Sequence, residues 1–195
     1  MLIIYTAKVN TFNGYCHYSC AKIRTLDLVN LDISAILVVK FLHLNNMTKI
    51  KIGDDWWTTP TESDNGNRII VTGRRNMEMA IASGKFTDRI EVTWKYVPTA
   101  DGMPDTKTST IMETVTDALN DAFKKDQAAI MTGIYTGDGE RNWIFYTRNL
   151  SKFQWILNSA LNGLPLLPLE FYAEKDSEWN EYQEMRLKTE ISEGE

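Results

Sequence analysis

Acidic residues grouped around glycine turns are the residues in this chain whose types and spacing could do chemistry. Asp101 and Asp105 lie in one such segment, while Asp138, Glu140 and Arg141 surround a glycine in another. Such carboxylates could bind a divalent cation. They could also act with Arg141 or with tyrosines, in a pocket beside the 137–142 turn, as the acid and base of a small enzyme. Asp and Gly are also the ordinary residues of tight turns. We favour the turn interpretation and predict no catalytic residues and no metal site. The two segments should lie at different ends of a sheet, so we do not expect them to converge.

The cysteines and histidines are confined to the first 46 residues. The cluster Cys16-His17-x-x-Cys20 offers three metal ligands but lacks the distant second pair of a structural zinc site. The chain beyond residue 46 has neither residue type, which excludes a histidine-dependent triad and a thiol nucleophile there. It also has no P-loop and no dinucleotide-binding glycine motif. We therefore predict no cofactor and favour a role that is not enzymatic.

A basic residue and two aromatics alternate along one predicted strand. Arg141, Trp143 and Phe145 have the spacing with which RNA-recognition motifs stack bases on a sheet. The glycines expected at Asn142 and Ile144 are absent, so core aromatics are the favoured interpretation. Binding of single-stranded RNA on the sheet face is the alternative. It predicts that both aromatic side chains are exposed.

Charge is distributed unevenly along the chain. Residues 1–46 hold four Lys/Arg and two Asp/Glu, whereas residues 47–195 hold seventeen and twenty-four. An acidic domain does not attract a polyanion through its net charge, so nucleic acid is a disfavoured partner. The apolar run over residues 33–44 is shorter than the roughly 20 residues that a membrane span needs. We predict no membrane segment, and a body without Cys fits the reducing cytoplasm.

The changes at Met47 also predict how the chain is divided. Because charge, cysteine and histidine content all shift there, we interpret residues 1–46 as a non-native or disordered extension translated from an upstream start. Residues 47–187 are predicted to form a single domain. Residues 188–195 are polar and are predicted to be a disordered tail.

The elements that must position these residues follow from periodicity and turn signals. The predicted order after the first hairpin is strand, helix, strand, strand, helix, strand. The predicted elements are strands over 56–59, 68–73, 89–97, 128–136, 141–148 and 166–173, a short helix over 75–83, helices over 105–125 and from 149 or 151 to 161, and a last helix after residue 176. This order predicts an α+β fold: a ferredoxin-like βαββαβ antiparallel sheet with an added N-terminal β-hairpin and a C-terminal helix. Its strands are predicted to bury one face.

The chain has more tryptophans than one buried sheet face would accommodate. Trp56 and Trp57 are adjacent on a strand, so their side chains point to opposite faces. Trp155 and Trp179 lie near the polar sides of their helices. Such residues either pack under a flanking element or bind a partner. We predict packing first, and we retain Trp57 and Trp179 as candidate partner-binding residues with Asp138, Glu140, Arg141 and Trp143.

The distributed motifs resemble a bacterial family catalogued as domain of unknown function 695. The resemblance spans residues 54–185 and is carried by the segments DDWW at 54–57, ESDNGN at 62–67, VTGR at 71–74, IEVTWKY at 90–96, GMP at 102–104, TGIYTGDGERNW at 132–143 and LLPLE at 166–170. The family implies no activity that could be mapped onto residues. Its association with domains resembling the regulator of ribonuclease E, inhibitor B, implies a regulatory, protein-binding role. We predict a cytoplasmic protein-binding module; the alternatives are the RNA platform and an Asp/Glu/Arg enzyme.

Overall fold

A computed structural model describes residues 50–63 and 65–190 of the chain. The predicted extension, its cysteine–histidine cluster and residues 191–195 lie outside the described residues. Within the described part, no helix is long and apolar enough to cross a membrane. The elements are strands β1 (Trp56–Glu62), β2 (Arg68–Arg74), β3 (Asp88–Lys95), β4 (Ala129–Gly137), β5 (Glu140–Thr147) and β6 (Leu169–Lys175), and helices α1 (Glu78–Ala82), α2 (Thr106–Asp126), α3 (Leu150–Leu161) and α4 (Asn180–Thr189).

All six strands belong to one antiparallel sheet, in the order β1-β2-β4-β5-β3-β6. The predicted α+β class, the first hairpin and the C-terminal helix are confirmed. The hairpin joins the main sheet because β2 pairs with β4, placing Ile70 opposite Thr136. The strand order is therefore not that of a simple four-stranded βαββαβ sheet.

Side-chain caps fix where the two long helices begin. Asp105 accepts a hydrogen bond from the backbone N–H of Thr108 at 2.7 Å, and Asn149 accepts one from Lys152 at 2.8 Å. Each bond satisfies an amide that the first helical turn leaves without a partner. The Asp105 carboxylate therefore caps the start of α2.

The first core lies between one face of the sheet and helices α2 and α3. Val92, Trp143 and Phe145 point from the strands into this core, and each is fully buried. Phe123 of α2 stacks on Phe153 of α3 with ring centroids 4.9 Å apart. The alternating strand pattern predicted this layer, since one side chain in two points to the same face.

A second core covers part of the opposite face, so the prediction of one buried face is wrong. Its side chains come from alternate strand positions, from α4 and from Trp179, which directly precedes α4, and include Trp57, Val71, Ile130, Tyr146 and Met185. The predicted disordered tail also begins too early, because α4 continues through Thr189. The Thr189 hydroxyl is buried and accepts a hydrogen bond from the Trp57 indole N–H at 2.9 Å. Residues 188–190 are therefore part of the folded domain.

Candidate functional site

The sheet separates the predicted site residues onto its two faces. Arg141 and Trp143 alternate with Glu140 and Asn142 along β5, and neighbouring residues of a strand point in opposite directions. Arg141 and Trp143 face α2, whereas Glu140 and Asn142 face the other side, where they line a depression with Asp138. The six candidate residues therefore do not form one site.

Arg141 has a structural environment. Its side chain is buried, its Nε donates to Thr136 Oγ1 at 2.8 Å, and its Nη2 donates to Glu113 Oε1 at 2.8 Å. The guanidinium also lies 5.7 Å from the centre of the Trp143 ring. An enzyme site that combines Arg141 with Asp138 and Glu140 is thus not assembled. The reason is visible in the sequence, because Glu140 and Arg141 are neighbours on one strand and so point to opposite faces of the sheet.

Trp143 cannot stack a base in this fold. It and Phe145 are both 0 % exposed, and the Trp143 indole N–H donates to Thr116 Oγ1 of α2 at 2.8 Å. An RNA-binding sheet face required both aromatic side chains to be exposed, and this prediction is wrong. The physical reason is register: the strand presents its aromatics to the helices rather than to the side that they leave open.

Trp57 and Trp179 are likewise buried, with exposures of 3 % and 1 %. The Trp179 ring stacks on Tyr146 at 3.9 Å, and its indole N–H donates to the carbonyl of Phe86 at 2.9 Å. Packing, the interpretation favoured by the sequence, accounts for both residues. Neither offers a surface to a partner. Trp155 on α3 is instead 67 % exposed.

Asp138 occupies the turn between β4 and β5 with a backbone φ of 52°. Its carboxylate accepts hydrogen bonds from the side-chain amides of Asn67 at 2.5 Å and Asn65 at 3.3 Å. These hydrogen bonds, of which the one from Asn67 has the larger effect, hold the pKa of Asp138 below its usual value. The carboxylate is therefore negative at neutral pH and fixed in place by the first hairpin.

The two acidic loops do meet, contrary to the expectation that they would not converge. The backbone N–H of Gly139 donates to the carbonyl of Gly102 at 3.1 Å. Their carboxylates nevertheless remain separate, because Asp105 caps α2 and Asp101 accepts from the Thr99 hydroxyl at 2.5 Å. Within the described residues, no group of three His, Cys, Asp or Glu side chains could hold a metal ion.

An open polar depression of ≈ 380 Å³ lies beside this turn. Its walls combine the first hairpin with β4 and β5, and its lining residues are Ser63, Asn65, Ile69, Tyr135, Thr136, Gly137, Asp138, Glu140 and Asn142. Burial raises the pKa of Tyr135, so its phenol remains protonated and donates to Glu181 Oε1 at 3.4 Å. Sequence reasoning missed Tyr135 and Asn142, although both alternate with core positions of their strands.

Carboxylates continue from this depression across the part of the sheet that α4 does not cover. We call this surface the acidic face and define it by Glu91, Asp138, Glu140, Glu170 and Glu174. Of the residues that the structure describes, two cationic ones lie among these carboxylates. Arg89 pairs with Glu91 at 2.8 Å and Glu174 at 2.9 Å, and Lys95 pairs with Glu170 at 2.8 Å.

Asp138 and Glu140 differ from the other three carboxylates of the acidic face. Within the described part of the chain, neither forms a direct ion pair, although Lys95 lies opposite Glu140 in the pairing of β3 with β5 and attracts it electrostatically. With five carboxylates and two cationic residues among its described side chains, the acidic face carries an excess of negative charge. A surface of this kind attracts cationic groups.

The comparisons with known proteins add a family. No curated protein and no solved structure matches the chain. The model of a family described as "Family of unknown function (DUF695)" matches residues 55–185, which contain all six described strands, both acidic loops and the greater part of α4. The chain therefore belongs to this family of unknown function.

Proposed function

We propose that this protein is a non-catalytic module that binds a basic segment of another protein on its acidic face. The supporting observation is the unequal charge of that face, where five carboxylates outnumber the two cationic residues Arg89 and Lys95 among the described residues. Complementary charge across an interface accelerates association and selects against wrong partners. A Lys- or Arg-rich segment supplies the missing cations.

The arrangement of the acidic side chains also suits recognition. Asn65 and Asn67 hold Asp138 at the rim of the depression, and the Asn142 amide donates to Glu140 Oε1 at 3.0 Å. Carboxylates that are oriented before binding lose less conformational entropy when a partner arrives. Arg141, the cation of the alternative enzyme site, is engaged by Glu113 on the other side of the sheet.

We also infer the fold type and the cellular setting of this module. Strands β3–β6 with α2 and α3 follow the βαββαβ chain order of a ferredoxin-like unit, which β1, β2 and α4 extend. A bacterial cytoplasm is the proposed location. It is supported by the lack of Cys after Met47 and by the bacterial family that the motifs resemble.

Charge reversal on the acidic face tests the proposed function. The purified full-length chain and its Glu140→Lys, Glu170→Lys double variant are used to capture proteins from a bacterial lysate at low salt, and the captured proteins are quantified by mass spectrometry. We expect the native chain to enrich basic proteins and the double variant to lose them. Raising the salt concentration should weaken the same complexes because it screens exposed charges.

A matched control separates recognition from net charge. Asp117 and Asp121 are exposed on α2, across the sheet from the acidic face. The Asp117→Lys, Asp121→Lys double variant makes the same change in net charge and should retain the captured proteins. The proposal fails if both double variants lose the same proteins to the same extent, or if the native chain enriches nothing over empty resin.

A further inference from the structure

Three arginine side chains are buried among the described residues, and their ionic surroundings differ. Arg74, Arg89 and Arg141 are 5 %, 7 % and 9 % exposed. A guanidinium stays charged at neutral pH, and burying that charge is costly unless an anionic group pairs with it. Each buried arginine should therefore have a carboxylate in contact, and Arg74 does not.

The other two arginines are paired as expected. Arg89 contacts Glu91 at 2.8 Å and Glu174 at 2.9 Å, and Arg141 contacts Glu113 at 2.8 Å. Burial opposes the charge of Arg89, but the surrounding carboxylates outweigh burial and raise its pKa. The positive charges of these two side chains are therefore balanced within the domain.

Arg74 is balanced less well. The Asp54 carboxylate lies 3.7 Å from its Nη2. That carboxylate already accepts hydrogen bonds from the Lys124 ammonium at 2.8 Å and from the Trp56 indole N–H at 3.0 Å. The Arg74 guanidinium donates to the neutral Asn120 side chain at 2.5 Å and lies 4.3 Å from the centre of the Trp56 ring. Burial lowers the pKa of Arg74 to about 10, and Asp54 opposes this effect only in part. Two cations thus share one carboxylate.

A small cavity lies beside this incompletely paired guanidinium. Arg74 and Lys124 are the charged residues of its lining, none of the lining residues is acidic, and Phe123 and Met131 contribute apolar walls. Gln127 also lines the cavity but is engaged in another interaction, so we do not count it among the available donors. The Nε of Arg74 has no hydrogen-bond partner within the described residues. The cavity therefore offers positive charge without an anion inside it.

We propose that this cavity binds the carboxylate of a small acidic molecule, held by Arg74 and Lys124. The site is on the α2 side of the sheet, across from the acidic face, and does not depend on the function proposed for that face. The planar guanidinium matches a carboxylate in geometry, and charge-assisted hydrogen bonds are stronger than neutral ones. The apolar walls strengthen the attraction because they lower the local dielectric.

The size of the cavity limits what enters it. Its volume of ≈ 40 Å³ exceeds the roughly 10–15 Å³ that one water needs. It is far below the roughly 300 Å³ of sites that enclose a drug-sized ligand. A carboxylate group fits this space while the rest of its carrier molecule stays outside. It would compete with Asp54, the acid that the two cations now share.

NMR of the arginine side chains tests this site in the full chain. Acetate, a minimal carboxylate, is titrated into isotopically labelled protein at neutral pH, and through-bond experiments assign the Nε–H signals of Arg74 and Arg89. We expect the Arg74 signal to shift and saturate. The Arg89 signal should stay in place. It is a matched control because its Nε is also buried without a hydrogen-bond partner, whereas its charge is balanced by glutamates.

Charge variants identify the groups that hold the carboxylate. Lys124→Gln should weaken acetate binding about twofold to fivefold, the range expected for one exposed ion pair. Lys107→Gln makes the same change in net charge at the opposite end of α2 and should leave the affinity unchanged. Asp54→Asn should strengthen binding because it removes the competing carboxylate. Circular dichroism establishes that the variants remain folded.

Three results would overturn this inference. Equal shifts of the Arg74 and Arg89 signals would show a general effect of salt. An Arg74 signal that does not saturate with acetate even in the Asp54→Asn variant, where the competitor is removed, would show that the cavity binds no carboxylate. Inorganic phosphate that shifts the Arg74 signal at lower concentrations than acetate would contradict a carboxylate ligand. None of these results bears on the acidic face, which the lysate comparison tests separately.

Discussion

At the scale of single residues, two glycines determine how closely the second core approaches the sheet. Gly73 and Gly133 are directly opposite each other on β2 and β4. A Cβ atom on Gly73 would lie 2.6 Å from Cε2 of Trp57 and closer still to Cζ2 and Cη2, while one on Gly133 would lie 2.8 Å from the sulfur of Met185. The glycines therefore provide the space in which the Trp57 ring and α4 pack against the strands.

Gly73→Ala should destabilise the protein by about 1–3 kcal/mol, because the added methyl group overpacks a filled site and the rigid indole cannot yield to it. The change is measured as the free energy of unfolding in urea at pH 7. Gly53→Ala is the control, since nothing lies within 4 Å of a Cβ at that position. It should remain within about 0.5 kcal/mol of the native chain. Equal stabilities of the two variants would contradict the packing of Trp57 on Gly73.

At the scale of elements, the sequence predicted the pieces better than their arrangement. Alternation along 90–96 and the helical stripe containing Val115 and Leu119 predict one core, and the structure contains it. Helix α4 carries only a short apolar stripe, Tyr182 and Met185, so local periodicity did not indicate that it covers a sheet face. The pairing of β2 with β4 depends on contacts between distant segments, which local patterns do not encode.

For the candidate site too, the sequence predicted single residues better than their arrangement. Asp138 and Glu140 were recognised because acids beside a glycine are visible in the sequence. The acidic face as a whole was not recognised. Its carboxylates come from separate parts of the sequence, namely the turn with Asp138, Glu91 of β3, and Glu170 and Glu174 of β6. Only the sheet order brings these residues together.

Asp176 anchors α4 to the sheet. Its carboxylate accepts a hydrogen bond from the Tyr146 hydroxyl at 2.6 Å and bonds from the backbone N–H groups of Asn180 and Glu181. Burial opposes the charged form, but these hydrogen bonds outweigh it and keep the pKa of Asp176 below its usual value. The negative charge on Asp176 therefore stabilises the attachment of α4.

Acid should weaken this attachment. A carboxyl whose pKa is lower in the folded state contributes stability above its unfolded pKa of about 3.9, and this contribution is lost as the pH falls through the folded value. Asp176→Asn should cost about 1.5–3 kcal/mol at pH 7, the range for hydrogen bonds to a charged group. The difference from the native chain should narrow toward pH 3. A difference that is the same at both pH values in urea unfolding would exclude the charge as the cause.

At the scale of the whole molecule, the two cores share their strands. Phe145 points into the first core and its neighbour Tyr146 into the second, so β5 cannot leave one core without disrupting the other. Trp143 and Trp179 are buried on opposite sides of the sheet. Since small single domains usually unfold in one cooperative transition, both tryptophans should report the same event.

Fluorine NMR of protein labelled with 5-fluorotryptophan measures this coupling. Trp143→Phe and Trp179→Phe variants assign the two resonances, and urea is then added to the labelled native chain at pH 7. We expect the native signals of both residues to disappear with one midpoint, because loss of α4 exposes the face of β5 that supports the other core. The exposed Trp155 signal should shift least on unfolding, since its surroundings change least. A lower midpoint for Trp179 than for Trp143 would show instead that α4 and the second core form a separately unfolding layer.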